Sequence, residues 1–159
     1  MNNQNHLPSI CLSKAGLTAG TTSTYTTTVA VAGAIRGEHV TPLAIQTNTA
    51  TPTTDWAGNA FTALAASQAC VFVFCLVAAG TIAVVQGPVV DLDASDAIPE
   101  NKGLEFPGID ATLMPFGFAV VKNGSTGSSW TFGAESWGAT GIVDTFTDVA
   151  FLPDRPQQS

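Results

Sequence analysis

The run Ala69 to Val85, ACVFVFCLVAAGTIAVV, limits this chain more than any other segment. Only Gly80 and Thr81 in it are not strongly apolar. A membrane-spanning helix wants about 20 such residues. This run instead carries Ala-Ala-Gly in its middle, a natural turn, and its flanks lack Lys and Arg. Its Val and Phe content (Val71, Phe72, Val73, Phe74, Val77) favours strand over helix. The run therefore predicts a buried β-hairpin: Cys70–Val77, a turn at Ala78-Ala79-Gly80, and a return over Thr81–Val90 interrupted at Gln86-Gly87-Pro88. A strand apolar on both faces needs cover on both. Cys70 and Cys75, at odd spacing, then face opposite sides and cannot pair with each other. With Cys11 they make an odd count of three, which fits free thiols in a reducing compartment at synthesis.

The rest of the chain reads as short strands between turns. Over Thr21–Ala34, Tyr25, Thr27, Val29 and Val31 share one face. Arg36-Gly37-Glu38 turns the chain, and His39–Ile45 returns, with Pro42 marking an edge or a bulge. Gln46–Asn59 is a loop rich in Thr, Pro and Asn. Phe61–Ser67 suits either a short helix or a loop. Asp91–Gly108 is acidic and turn-rich. Met114–Lys122 is a strand with Phe116, Phe118 and Val120 on one side. Asn123-Gly124 opens a turn, Ser128–Phe132 is expected to pair back, Gly133–Gly141 connects, and Ile142–Leu152 closes the fold. This spacing predicts an all-β single domain, an antiparallel β-sandwich or β-barrel-like body. Residues 1–20 form an extended N-terminal arm, 21–153 the β-domain and 154–159 a polar C-terminal tail.

Charge is scarce. Asp, Glu, Lys and Arg make up 11% of the residues, against roughly 25% in an ordinary soluble domain. The five basic residues are scattered, which argues against nucleic acid, whose phosphates need clustered Lys and Arg. Catalytic patterns fail as well. Gly133–Gly138 misses the nucleophile-elbow spacing by one residue. No C-x-x-C pair and no phosphate-binding glycine loop occur. A Cys11–His39 pair remains open, but nothing in the sequence positions it or supplies the positive surround of a reactive thiol. An EF-hand loop counted from Asp91 would need Gly at Asp96 and Glu at Lys102, so it fails, although a different cation site in Asp91–Asp96 stays open. No cofactor and no metal are expected. Trp130 reads as core, whereas Trp56 and Trp137, each near a glycine, read as contact residues.

Several segments carry a resemblance. They are Gly20–Thr28 (GTTSTYTTT), Ala34–Gly37, Thr51–Asp55, Cys70–Val73, Gln86-Gly87, Pro115–Gly117, Trp130–Gly133 and Leu152–Pro156. Their order resembles small structural proteins of tailed bacteriophages, specifically capsid decoration, or cement, proteins. The resemblance implies a non-enzymatic virion protein, made in the host cytoplasm, that sits on the capsid surface. Its partners would be the major capsid protein and further copies of itself, a homo-oligomer with a trimer favoured, without nucleic acid or membrane. The arm Met1–Gly20 and the loops Thr47–Trp56 and Asp91–Gly108 are the expected contact elements. Leu7, Ile10, Leu12, Arg36, Trp56, Trp137 and Arg155 are the interface candidates. A phage tail or head-fibre module that binds host-surface carbohydrate is the alternative, since such proteins share the same Thr-, Gly- and Ala-rich texture.

Overall fold

The computed structural model describes residues 8–100, 102–153 and 156. Among them there is no helix, so none is long and apolar enough to cross a membrane. The strands are β1 (Ile10–Cys11), β2 (Thr18–Ala19), β3 (Thr24–Thr26), β4 (Gly33–Ile35), β5 (Glu38–His39), β6 (Thr49–Ala50), β7 (Gln68–Val77), β8 (Ile82–Gln86), β9 (Val90–Asp91), β10 (Leu113–Asn123) and β11 (Ile142–Asp148). They form one five-stranded antiparallel sheet, ordered β11-β10-β7-β8 with β9 also on β7, and two three-stranded sheets, β1-β4-β5 and β2-β3-β6. The architecture is all-β and sandwich-like, not a closed barrel.

The apolar run becomes β7 and β8, joined at Ala78-Ala79-Gly80 as its sequence predicts. Gly80 holds φ at 82°, a left-handed value that glycine adopts without steric cost. Alanine 69 through Leu76 are all fully buried, because the central sheet is covered on both faces. One face packs on a core of Phe72, Phe74, Phe116, Trp130, Phe132 and Trp137, closed over by Leu17, Tyr25, Val31 and Ile35 from the small-sheet layer. The other packs on Val71, Val73, Phe118 and Val120, covered by Leu92, Leu104 and Phe106. Cys70 falls in the first core and Cys75 in the second, as their odd spacing requires. All three cysteines are free and buried.

Three expectations are corrected. Phe116 does not share a face with Phe118 and Val120. The β10–β7 register shifts between Pro115 and Gly117, so Phe116 is an extra residue and turns into the first core. A bulge moves every side chain beyond it to the opposite face, and Pro115, which cannot donate to a ladder, sits where β11 no longer pairs. Second, Ser128–Phe132 does not pair back on β10. That place belongs to β11. Residues 124–141 instead dip under the first face, and Trp130 bridges Leu64 through two backbone hydrogen bonds of 2.8 and 2.9 Å. Third, Val29 leaves the buried set. The chain bends there, Ala15 O accepts the amides of both Thr28 and Val29, and the Val29 side chain is exposed.

Residues 8–20 are extended, but they are bound into the body rather than projecting from it. Cys11, Ala15 and Leu17 are buried. The Asp148 carboxylate accepts the amides of Gly16 (3.1 Å) and Leu17 (3.0 Å), and Cys11 N–H donates to Ala150 O. The boundary expected at Gly20 therefore has no counterpart in the packing.

Candidate functional site

Among the described residues the exposed large apolar side chains are Leu12, Val29, Ile45, Trp56, Val143 and Phe151. Leu12 follows β1 and is 61% exposed, whereas Ile10, within β1 and paired with Ala34, is half-buried. Arg36 is exposed at the turn between β4 and β5. It and Gly37 have φ of 52° and 82°, the left-handed pair that a two-residue hairpin turn needs to match strand twist. Leu7 and Arg155 lie outside the described residues.

Trp56 sits at the end of a small rigid loop. Thr54 bridges Ala60, Gly58 N–H donates to Asp55 O, and the Asp55 carboxylate accepts Asn59 N–H at 2.8 Å. The backbone amide of Trp56 donates to Val84 O and so caps the free edge of β8, while the residue remains 45% exposed. The backbone that carries Trp56 is thus held before any partner arrives, which leaves less to be ordered on binding. Upstream, the loop is less free than its composition implies. Thr49 and Ala50 form β6, and the buried Thr51 hydroxyl donates to Ser23 O at 2.6 Å.

Trp137 is corrected from contact residue to core. It is 4% exposed, its ring packs on Phe132 and Phe146, and its Nε1–H donates to Thr24 O at 2.7 Å. A buried indole needs such an acceptor, and Trp130 finds one in Ser136 O. The glycine beside Trp137 reflects the tight connection, not solvent exposure.

Asp91–Gly108 is chiefly a cover. Its apolar residues close the second core, and its carboxylates tie the segment to itself and to the next turn. Asp93 accepts the Ser95 hydroxyl and the amides of Ser95 and Ala97, which holds its carboxyl below the usual range. Asp96 accepts the amide and hydroxyl of Ser125. Among the described residues no group of three His, Cys, Asp or Glu side chains could hold a metal ion. Cys11 and His39 do not form a reactive pair: the thiol is buried and donates to Ser13 O, while His39 is exposed on the far strand of its sheet. Burial pushes the Cys11 thiol up, away from the thiolate.

Asp144 behaves in the opposite way to Asp93. Partial burial on β11 raises its carboxyl above the ordinary value. A carboxyl with a raised folded pKa adds stability in acid, and that stability is lost as pH rises through the folded value. Asp144→Asn is therefore expected to melt higher than the parent near neutral pH, with the gain vanishing at about pH 3. Thermal melts of both proteins across that range test it. A gain that persists unchanged in acid would assign the effect to something other than the charge.

Four of the exposed apolar residues, Val29, Ile45, Val143 and Phe151, are absent from the sequence-derived set. Val29 is hidden there by an alternation that the bend breaks. The others sit in segments read simply as strand, and a strand pattern does not say which face meets solvent. A shallow cavity of about 210 Å³ lies between Cys11–Lys14 and Asp148–Ala150, where the first and last described segments run together. No protein-family model, no curated protein and no solved structure matches this chain.

Proposed function

We propose that this chain is a non-enzymatic capsid decoration, or cement, protein that binds the outer surface of a tailed-phage head and stabilises it. The observation that carries the reading is the set of exposed apolar side chains, Leu12, Trp56 and Phe151 among them, on a rigid β-body with little charge. Small polar side chains such as Thr cost less to dehydrate than Lys or Glu, which suits a surface that other subunits cover. Linked weak contacts from several copies raise effective concentration, so a homo-oligomer holds a lattice more tightly than any single contact does.

Trp56 is the anchor on this reading. Buried aromatic anchors of interfaces lose about 2 kcal/mol or more on truncation, roughly thirtyfold in affinity. Trp56→Ala should thus lower occupancy on purified capsids by that order while the melting temperature stays near the parent's. Equal occupancy at limiting protein would remove Trp56 from the interface. The exposed Trp56 ring also keeps carbohydrate binding by a tail or head-fibre module as a second reading. Glycan-array binding that disappears with the same substitution, together with no affinity for capsids, would favour it.

A further inference from the structure

The central sheet has two outer strands, and only one of them is covered along its outer side. The edge of β8 is closed by the Trp56 amide on Val84 O and by the Gln86 side chain, which exchanges hydrogen bonds with the Thr62 backbone. β11, by contrast, pairs with β10 alone. Its register fixes which backbone groups point away. Gly124 N–H donates to Gly141 O beyond one end of the β10–β11 pair, and Val149 N–H to Phe116 O beyond the other. Hydrogen-bonded pairs recur at every second position of an antiparallel ladder, so Val143, Thr145 and Thr147 turn their amides and carbonyls to β10. Ile142, out of phase with them, turns its amide the other way, onto Ala139 O. Asp144 and Phe146 share its phase and direct theirs outward, where no other described residue bonds them.

The side chains along this edge are as particular as its backbone. Asp144 lies opposite Val121, on the first-core face, with Ile142 and Phe146 on either side of it. It is half-buried, and no cation among the described residues acts on its carboxylate; the one donor that does is its own outward amide. On the other face Val143 is exposed. Asp148, the second acid of β11, is already committed to the amides of Gly16 and Leu17. The strand holds no basic residue.

We propose that the open edge of β11 accepts an extended segment of another protein that brings Lys or Arg opposite Asp144. Strand addition takes its affinity from main-chain bonds and its specificity from alternate side chains. Here the outward amides and carbonyls of Asp144 and Phe146 supply the bonds, and the carboxylate supplies the choice. An uncharged segment would bury that carboxylate further with nothing to pair it, which is costly. An opposite charge directly across the ladder removes the cost. It would also draw the carboxylate off its own amide and free that amide for the incoming strand. A second copy of β11 brings only acids, and each chain carries a formal net charge of -7, so like charges oppose self-pairing at this edge. The assignment stands apart from the capsid reading, because it follows from the edge alone.

Residue-resolved hydrogen exchange of the full chain tests this, with a synthetic strand of alternating Val and Thr that carries Lys at its centre. The peptide should slow exchange at the Asp144 and Phe146 amides, while those of Val143 and Thr145, already turned to β10, change little. Replacing its Lys by Glu should weaken binding about tenfold or more, the size of a hydrogen bond to a charged group. Asp144→Asn should erase that preference without loss of the fold. Exchange at the two amides that is already slow in the free chain would mean the edge is occupied, and slowing that follows protein concentration alone would give it to a second copy; either overturns the proposal. No slowing by the peptide, equal binding of the Lys and Glu forms, or a preference that the Asn variant keeps would each overturn it as well.

Discussion

Phe132→Ala is expected to cost about 3–5 kcal/mol, the range for deleting a large buried aromatic. Phe132 is 1% exposed and lies at the centre of the first core. Its ring stacks on Phe72 at 4.6 Å and meets Phe61, Trp137 and Phe74 at 4.8, 5.5 and 5.8 Å. These partners come from β7, from the loop before it and from the connection between β10 and β11. Alanine would therefore leave a cavity bounded by independent segments that cannot all close in. Domains hold only about 5–15 kcal/mol in total, so the urea midpoint should fall by roughly a fifth or more with an unchanged slope. A loss below about 1 kcal/mol would mean that residues 124–141 are not packed under the sheet as described.

The neighbouring position gives the second large effect, through the backbone. Gly133 has φ of 79°. A Cβ there would run into the carbonyl oxygen of Pro52 and lie 3.2 Å from Thr53 Cα, and neither backbone atom can swing aside. Left-handed backbone costs an L-residue about 1–2 kcal/mol, and overpacking adds about 1–3, so Gly133→Ala should lose about 2–5 kcal/mol in the same titration. Gly58→Ala is the control. Its φ is 84°, but a Cβ there meets nothing within 4 Å, so only the conformational cost of about 1–2 kcal/mol remains. Equal losses at the two positions would remove the Pro52 contact as a cause.

These two residues also show where the sequence is silent. β7 and its turn are legible because an apolar run of that length, with glycine in its middle, has few other solutions. The turn at Arg36-Gly37 is legible for a similar local reason. What pairs with β10 is not, because alternation reports burial and not the identity of the neighbour. The Phe116 bulge is likewise hidden, since one extra residue leaves the composition of the strand unchanged. On the surface, Leu12 and Trp56, both singled out from the sequence, are exposed. Trp137 is misplaced because its burial depends on how the β10–β11 connection folds back and on Thr24, 113 residues away in sequence.

The same central strands set the order in which the molecule can form. β7 and β8 are joined by a tight turn and can zip together at once, over microseconds. The other flank of β7 is different: Val71 pairs with Val120, and β10 is followed only later by β11. Until β10 is made, a growing chain carries QACVFVFCLV with one edge unpaired. Such non-local pairing slows folding toward milliseconds to seconds, and an apolar edge left open that long recruits other chains. Yield on expression should therefore respond more to temperature and synthesis rate than the stability of the finished fold would suggest.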